Sequence, residues 1–108
     1  MKILANAFSL QMLNSIEPGE EIVLKIKGIS KDDVNFDISA VGHADTAAVL
    51  SSILNKEVES NRVSITLNPE DTLNVAQVFG GRLPEGCTVL PEGTTIKFIE
   101  VSIISGGD

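Results

Sequence analysis

Apolar and polar residues alternate along most of the chain with the period of a β-strand, and one segment changes to the period of a helix. Ala47, Leu50 and Leu54 recur at helical spacing, which predicts a helix over 44–54 with Asn55 as its C-cap. Strands are predicted where apolar residues fall at every second position or in short runs, over 2–6, 22–27, 36–40 and 94–104.

A β-hairpin is predicted after the helix. Val63, Ile65 and Leu67 alternate with polar residues, a turn with proline at its second position follows at 68–71, and the alternation then resumes. Antiparallel pairing of this kind argues against an all-parallel sheet. We therefore expect a single α/β domain over residues 1–108, with a mixed, mostly five-stranded β-sheet flanked by short helices.

Composition and charge narrow the classes of function. The chain has 108 residues, of which 43% are hydrophobic, but it has no tryptophan or tyrosine and only four phenylalanines on which a base could stack. The net charge is -7 and the eight basic residues form no stripe, which argues against binding of long DNA or RNA. A small anionic ligand needs only two or three donors and is compatible with this charge.

Cysteine content and the N-terminus indicate the compartment. Cys87 is the only cysteine, so no disulfide forms within the chain. The N-terminus turns polar at Asn6, too early for a signal peptide, and no run approaches the roughly 18 apolar residues of a membrane span. We expect a soluble cytoplasmic protein with no membrane partner, located in the host cytoplasm if the chain is viral.

The candidate chemistry centres on His43, the only histidine. It follows Gly42, which is expected to let the backbone turn sharply, and it directly precedes the predicted helix. A helix N-terminus presents free N–H groups and a positive dipole end, which suit a phosphate, and histidine exchanges a proton near neutral pH. The alternative is that the imidazole merely caps a backbone group.

Three polar residues lie at the end of the first predicted strand or shortly after it, namely Asn6, Ser9 and Gln11. Ligands of α/β proteins gather beyond the carboxyl ends of strands, so these side chains are candidates for binding. The alternative is capping and solvation, with Ser9 as the cap of a short helical turn.

A second group of candidates lies near the end of the predicted hairpin. Gln77 continues the apolar parity of its strand, so its amide either bonds backbone groups or faces a pocket. Arg82 offers a forked donor suited to a phosphate. Glu85 belongs to a Leu-Pro-Glu-Gly turn that recurs at 90–93, so it is either a site residue or part of the turn alone.

Common metal and nucleotide motifs are missing from the sequence. One histidine and one cysteine do not supply a zinc site, and there is no P-loop, dinucleotide fingerprint or serine-nucleophile elbow. A pair of Cys87 and His43 is the remaining covalent option, although such a cysteine is more often a packing residue. We expect acid–base chemistry around His43 without a metal or cofactor.

Four sequence blocks occur together in this chain: Ala5-Asn6-Ala7-Phe8-Ser9-Leu10-Gln11-Met12-Leu13, Val41-Gly42-His43-Ala44-Asp45-Thr46, Asn61-Arg62-Val63 and Arg82-Leu83-Pro84-Glu85-Gly86. In this order they resemble the viral ring nuclease family, which includes type III anti-CRISPR proteins of archaeal viruses and phages and relatives in bacterial genomes. The resemblance runs from the first strand to about Leu90, which is most of the chain.

The resemblance implies a two-fold homodimer that binds cyclic tetra-adenylate, the second messenger of type III CRISPR defence, across its interface. Family members cleave this ring without metal to linear di-adenylates, which switches off the messenger-activated nucleases. By position, the catalytic residues fall on His43, Arg82 and Glu85. The ligand-binding residues fall on Asn6, Ser9, Gln11 and Gln77, and Gly42 joins them beside the histidine.

The chain departs from the family pattern at several points. Gly80-Gly81 and Pro84 stand where polar or acidic residues are common, Gln11 replaces an asparagine, and the helix after the glutamate is expected to be absent. Two alternatives to a ring nuclease therefore stay open. One is a sponge or sensor that binds a cyclic oligonucleotide without cutting it, and the other is a structural or regulatory dimer of a mobile element with no nucleotide ligand.

Overall fold

The computed structural model describes residues 1–13, 16–81, 83–86 and 88–106, which form five strands and one α-helix. The strands are β1 (Lys2–Ala5), β2 (Val23–Ile29), β3 (Ile38–Ser39), β4 (Thr72–Phe79) and β5 (Thr95–Ser105). The helix α1 spans Ala44–Leu54, and two short 3₁₀ turns lie at Leu10–Met12 and Lys31–Asp33. None of these helices is long and apolar enough to cross a membrane.

The strands form one mixed sheet in the order β2-β5-β4-β1-β3. β1 lies parallel to both β3 and β4, whereas β5 runs antiparallel to β4 and β2. The register places Ile3 of β1 beside Ile38 on one side and Leu73 on the other. The expected α/β domain with a mixed five-stranded sheet is therefore confirmed.

Both faces of β1 are apolar, and the sheet carries a core on each side. Ile3 and Ala5 point to one face and Leu4 to the other, because successive side chains of a strand alternate. The core on the face of Ile3 and Ala5 also contains Leu67, Leu73, Val75, Val101 and Ile103. The core on the face of Leu4 contains Val41, Ala47, Leu50, Val58 and Ala76, so α1 packs on this face.

The helix has the predicted bounds and the predicted cap. Asn55 adopts the left-handed conformation with φ 52° and ends the helix, as expected. The Ser51 hydroxyl donates to the Ala47 carbonyl at 2.8 Å and accepts from the Val58 N–H at 2.9 Å. These bonds tie the chain beyond the helix back to its last turns, so the direction in which the chain leaves α1 is fixed.

The predicted hairpin is wrong. Residues 62–71, all of which are described, contain no strand, and β4 begins only at Thr72. Both edges of β4 are occupied, by β1 and β5, so the alternating segment has no edge of β4 to pair with. Ile65 and Leu67 pack instead on the core opposite α1, and the Leu67 N–H donates to the Met12 carbonyl at 2.6 Å.

The other strand and turn predictions differ from the structure mainly in extent. The strand expected over 36–40 is reduced to Ile38–Ser39, because its only neighbour, β1, is itself four residues long. The turn at 68–71 is present and is closed by the Asp71 N–H on the Asn68 carbonyl at 2.9 Å. Between β4 and β5 the described residues form no helix, as the departure from the family pattern predicted.

Replacing Leu50 by alanine is expected to lower the free energy of unfolding by about 2–5 kcal/mol, because its fully buried side chain belongs to the core between α1 and the sheet. Ser52→Ala, at an exposed position of the same helix, should change the free energy by less than about 0.5 kcal/mol. Urea unfolding measures both values. A loss below about 1 kcal/mol for Leu50→Ala would contradict the described packing of α1.

Gly80→Ala is expected to be more destabilising than Gly19→Ala. The two glycines have similar φ values, +97° and +91°, but a Cβ on Gly80 would lie 2.5 Å from the Gly93 carbonyl oxygen, whereas Gly19 has open space. The additional loss for Gly80→Ala should be about 1–3 kcal/mol by urea unfolding. Equal losses would show that the segment after β4 does not approach the segment before β5 this closely.

Candidate functional site

An open cleft of about 510 Å³ lies at the edge of the sheet where the parallel strands β1 and β4 end. Sites of α/β proteins are typically found at this edge. The described residues that line the cleft are Asn6, His43, Asp45, Thr46, Ala76, Gln77, Val78, Gly81 and Leu83. The structure therefore brings together three residues that the sequence singled out, Asn6, His43 and Gln77.

His43 is the residue that directly precedes α1. Its backbone is extended, with φ -123° and ψ 129°. Its carbonyl accepts from the Ala47 N–H at 3.0 Å, and this is the first hydrogen bond of the helix. The side chain is exposed and makes no capping hydrogen bond, so the alternative of a purely capping histidine is wrong. The imidazole is free to meet a ligand in the cleft. No three His, Cys, Asp or Glu side chains in the described ranges are placed to hold a metal ion.

The first turn of α1 forms one wall of the cleft. Asp45 and Thr46 line it directly after His43. The N–H groups of a first helical turn have no acceptor within the helix, and the dipole there is positive, so an anion is favoured at this wall. The carboxylate of Asp45 places a negative charge at the same wall, which opposes the binding of an anion there.

Gln77 reaches the cleft because β1 ends before it. The pairing between β1 and β4 stops at Ala5 and Val75, and Asn6 leaves the sheet at that point. Gln77 is exposed and lines the cleft, whereas Leu73 and Val75 on the same strand parity are buried. Of the two alternatives for its amide, the structure shows a side chain that faces a pocket.

The turn at 83–86 contacts α1 through its last residue. The Gly86 N–H donates to Asp45 Oδ1 at 3.1 Å, and Gly86 has φ +78°. Glu85 is exposed in this turn and is not among the described residues of the cleft lining. The carboxylate that the structure places on the cleft is therefore that of Asp45. Arg82 and Cys87 lie outside the described residues.

Ser9 and Gln11 border a different hollow, of about 210 Å³, which they share with Met12, Ala40, Val63, Ser64 and Ile65. The Ser9 hydroxyl accepts from the Gln11 N–H at 3.2 Å, so Ser9 caps the 3₁₀ turn as the capping alternative predicted. Within a single chain these two residues are not brought to the cleft of His43. The first loop is thus divided, with Asn6 on one hollow and the two later residues on the other.

Gly42 does not have the expected role in the backbone. It is absent from the glycines with positive φ, and a Cβ placed on it would meet the Arg62 side chain at an ordinary 3.8 Å. The prediction of a sharp turn that depends on Gly42 is wrong, because the chain enters α1 through extended backbone at His43. Gly42 is also not among the described lining of the cleft.

Sequence reasoning did not assign a role to Asp45 or Thr46. Their only local signal is an acidic residue and a threonine in a first helical turn, which is the composition of many helix starts. Gly81 and Leu83, on the opposite wall, carried no signal for a site beyond that of a flexible loop. These residues become site candidates only when the segment after β4 is seen beside α1.

Comparison with known proteins places this arrangement among viral proteins. The solved structure of B116 of Sulfolobus turreted icosahedral virus matches with a TM-score of 0.72 and 25% sequence identity, over 94% of this chain and 97% of that chain. "Uncharacterized protein 26" of Sulfolobus islandicus filamentous virus (isolate Iceland/Hveragerdi) is 34% identical over 87 residues, which span 71% of this chain and 73% of the relative. Both support the expected viral or mobile-element origin. The family model described as STIV B116-like matches residues 2–98, and the chain belongs to this family.

Proposed function

We propose that this protein is a metal-independent ring nuclease that cleaves cyclic tetra-adenylate to linear di-adenylates and so switches off type III CRISPR signalling. The observation that carries the proposal is the cleft at the N-terminus of α1. There His43, whose exposed side chain makes no capping hydrogen bond, lies with the amide side chains of Asn6 and Gln77. It combines a proton donor, neutral hydrogen-bonding groups and an anion-favouring helix end in one open hollow.

The reaction that suits this arrangement needs no metal. A ribose 2′-OH attacks the adjacent phosphorus in line and gives up its proton to bulk water. A cyclic 2′,3′-phosphate forms, and the 5′-oxygen leaves with the electrons of the broken P–O bond. His43 protonates that oxygen as general acid, a role that typically contributes ~10²–10⁴-fold to the rate. The free N–H groups of the first turn of α1 stabilise charge on the phosphoryl oxygens while the bond is exchanged.

Arg82 and Glu85 enter the proposal from the sequence and the family resemblance, because Arg82 lies outside the described residues and Glu85 is not in the described lining of the cleft. Arg82 stabilises charge on the phosphate as a forked donor. Glu85 orients His43 or holds it protonated, which requires the exposed turn at 83–86 to change its contacts when the ligand binds. The carboxylate found at the cleft in the unbound chain is Asp45, so the assignment of Glu85 depends on that rearrangement.

A homodimer completes the proposed site. A four-nucleotide ring has a two-fold axis, and a two-fold dimer offers it a His43 and a helix mouth from each copy. In such a dimer, Ser9 and Gln11 contact parts of the ring that lie outside the His43 cleft of their own chain, on the side of the partner copy or beyond the cleft. Their separation from His43 within one chain is then expected. The acidic chain needs no basic stripe for a ligand enclosed in this way.

The position of Glu85 outside the described cleft lining favours a second candidate function, a sponge or sensor that holds a cyclic oligonucleotide without cutting it. It uses the same helix mouth and amide side chains. Only turnover separates the two functions, so the same incubation decides between them.

His43→Ala is expected to retain the fold and ligand binding but to lose cleavage by ~10²–10⁴-fold, because the leaving oxygen no longer receives a proton from the enzyme. The protein and the variant are incubated with cyclic tetra-adenylate in EDTA, and products are resolved by mass spectrometry. Lys25→Ala is the control and should cleave at the wild-type rate. Lys25 is exposed on the edge strand β2, which is separated by β5 from β4 and the cleft. An intact ring that co-purifies with wild type supports the sponge, and cleavage by His43→Ala at the wild-type rate removes the acid role.

Arg82→Ala is expected to weaken both binding and turnover, each by about tenfold or more, since one charged hydrogen-bond donor to the phosphate is lost. Arg82→Lys keeps the charge but not the fork and should recover only part of the loss. Isothermal titration of cyclic tetra-adenylate into the His43→Ala background measures binding apart from cleavage. Wild-type affinity and rate in Arg82→Ala would overturn the phosphate assignment.

A further inference from the structure

A hydrogen bond joins the two walls of the cleft. One wall is the first turn of α1, with His43, Asp45 and Thr46, and the other is the segment after β4, with Gly81 and Leu83. Gly86 is the last residue of the turn at 83–86 that begins with Leu83, and its N–H donates to Asp45 Oδ1 at 3.1 Å, 41 positions away in the sequence. This bond must break before the turn can move away from α1. The bond therefore helps to hold the two walls of the cleft at a fixed distance.

We infer that Asp45 is a positioning residue that holds the turn at 83–86 against the mouth of α1, and that its charge at the same time weakens the binding of an anionic ligand. The inference rests on the proposed function for its second half, because only an anionic ligand is repelled by the carboxylate. Its first half concerns the free protein. Nothing in the local sequence pattern predicts this contact, which depends on where the turn lies in the fold.

The two Leu-Pro-Glu-Gly turns show that the contact is not a property of the turn sequence. In the second copy, Gly93 has φ +86°, and the turn is closed locally by the Thr94 N–H and hydroxyl, both donating to the Pro91 carbonyl, at 3.2 and 2.5 Å. In the first copy, Gly86 has a similar φ of +78°, but its N–H is given to Asp45 of another element. The counterpart of Thr94 in the first copy is Cys87, which lies outside the described residues, so the two copies are compared at their glycines. The Gly86 N–H donates to another element, whereas no such bond is made by the Gly93 N–H among the described residues.

The environment of Asp45 explains both effects of its carboxylate. It lies in the first turn of α1, where the positive end of the helix dipole stabilises a negative charge, and it is half-buried. It also lines the cleft. A bound phosphodiester therefore meets a fixed like charge near the N–H groups that attract it, and part of the attraction is cancelled.

Asparagine and alanine at position 45 separate the two effects. Asp45→Asn keeps an oxygen acceptor for the Gly86 N–H and removes the charge. Asp45→Ala removes both, so the two variants differ in the acceptor while sharing the same charge. Glu92→Ala, in the exposed second copy of the turn, is the control for the loss of one carboxylate that is not in the described lining of the cleft.

The tether is tested in the free protein by amide hydrogen exchange at Gly86. Exchange is expected to be about tenfold faster in Asp45→Ala than in wild type, and within about threefold of wild type in Asp45→Asn and Glu92→Ala. Equal exchange in wild type and Asp45→Ala would overturn the tether. Because no ligand is present, this outcome is independent of whether the protein is a ring nuclease.

The effect of the charge is tested with cyclic tetra-adenylate at low salt. Asp45→Asn is expected to lower KM about fivefold with kcat unchanged, and the gain should shrink as salt is added. Asp45→Ala is expected to lose about tenfold in kcat, because the turn beside the reacting phosphate is no longer held, and Glu92→Ala should match wild type. Equal kinetics for the asparagine and alanine variants would overturn the positioning role. If wild type neither binds nor cleaves the ring, the proposed function fails while the exchange experiment still decides the tether.

Discussion

The burial of β1 on both faces and along both edges is the constraint on which the rest of the structure depends. Ile3, Leu4 and Ala5 are almost inaccessible, and the strand is paired in parallel with β3 and with β4. Parallel neighbours send their carboxyl ends to the same edge of a sheet. The chain segments that follow these strands therefore meet, and a hollow between them is the geometric consequence.

The same constraint explains why the candidate site is built from short segments rather than from one motif. β1 ends at Ala5 and releases Asn6, β3 leads within a few residues to His43, and β4 continues past its parallel neighbour to expose Gln77. Each side chain alone has an ordinary structural explanation. Their convergence with the free N–H groups of α1 is what makes an anionic ligand chemically reasonable in a chain with a net charge of -7.

The described cleft lining contains no lysine or arginine. In the proposed function, the attraction for an anion in this part of the site comes from backbone N–H groups, amide side chains and the protonated His43 that acts as general acid. Hydrogen bonds from these groups act over short distances and impose a geometry on the ligand. Asp45 adds a carboxylate to the same wall and is engaged by Gly86. In the proposed function, a site of this kind favours a ligand that fits closely over one that is merely negatively charged.

The sequence by itself determined the elements whose cause is local. The bounds of α1 and its cap at Asn55, the first apolar strand and the turn at 68–71 all follow from spacings of a few residues, and the structure shows them at or within one residue of the predicted bounds. Tertiary structure decided the rest. The alternating segment at 63–67 is not a strand because both edges of β4 are already paired, with β1 and β5. The periodicity of a sequence does not show whether a strand edge is available for pairing. Likewise the Leu-Pro-Glu-Gly sequence occurs twice, and among the described residues only its first glycine, Gly86, donates to Asp45. This contact therefore follows from packing between residues 41 positions apart and not from the turn sequence.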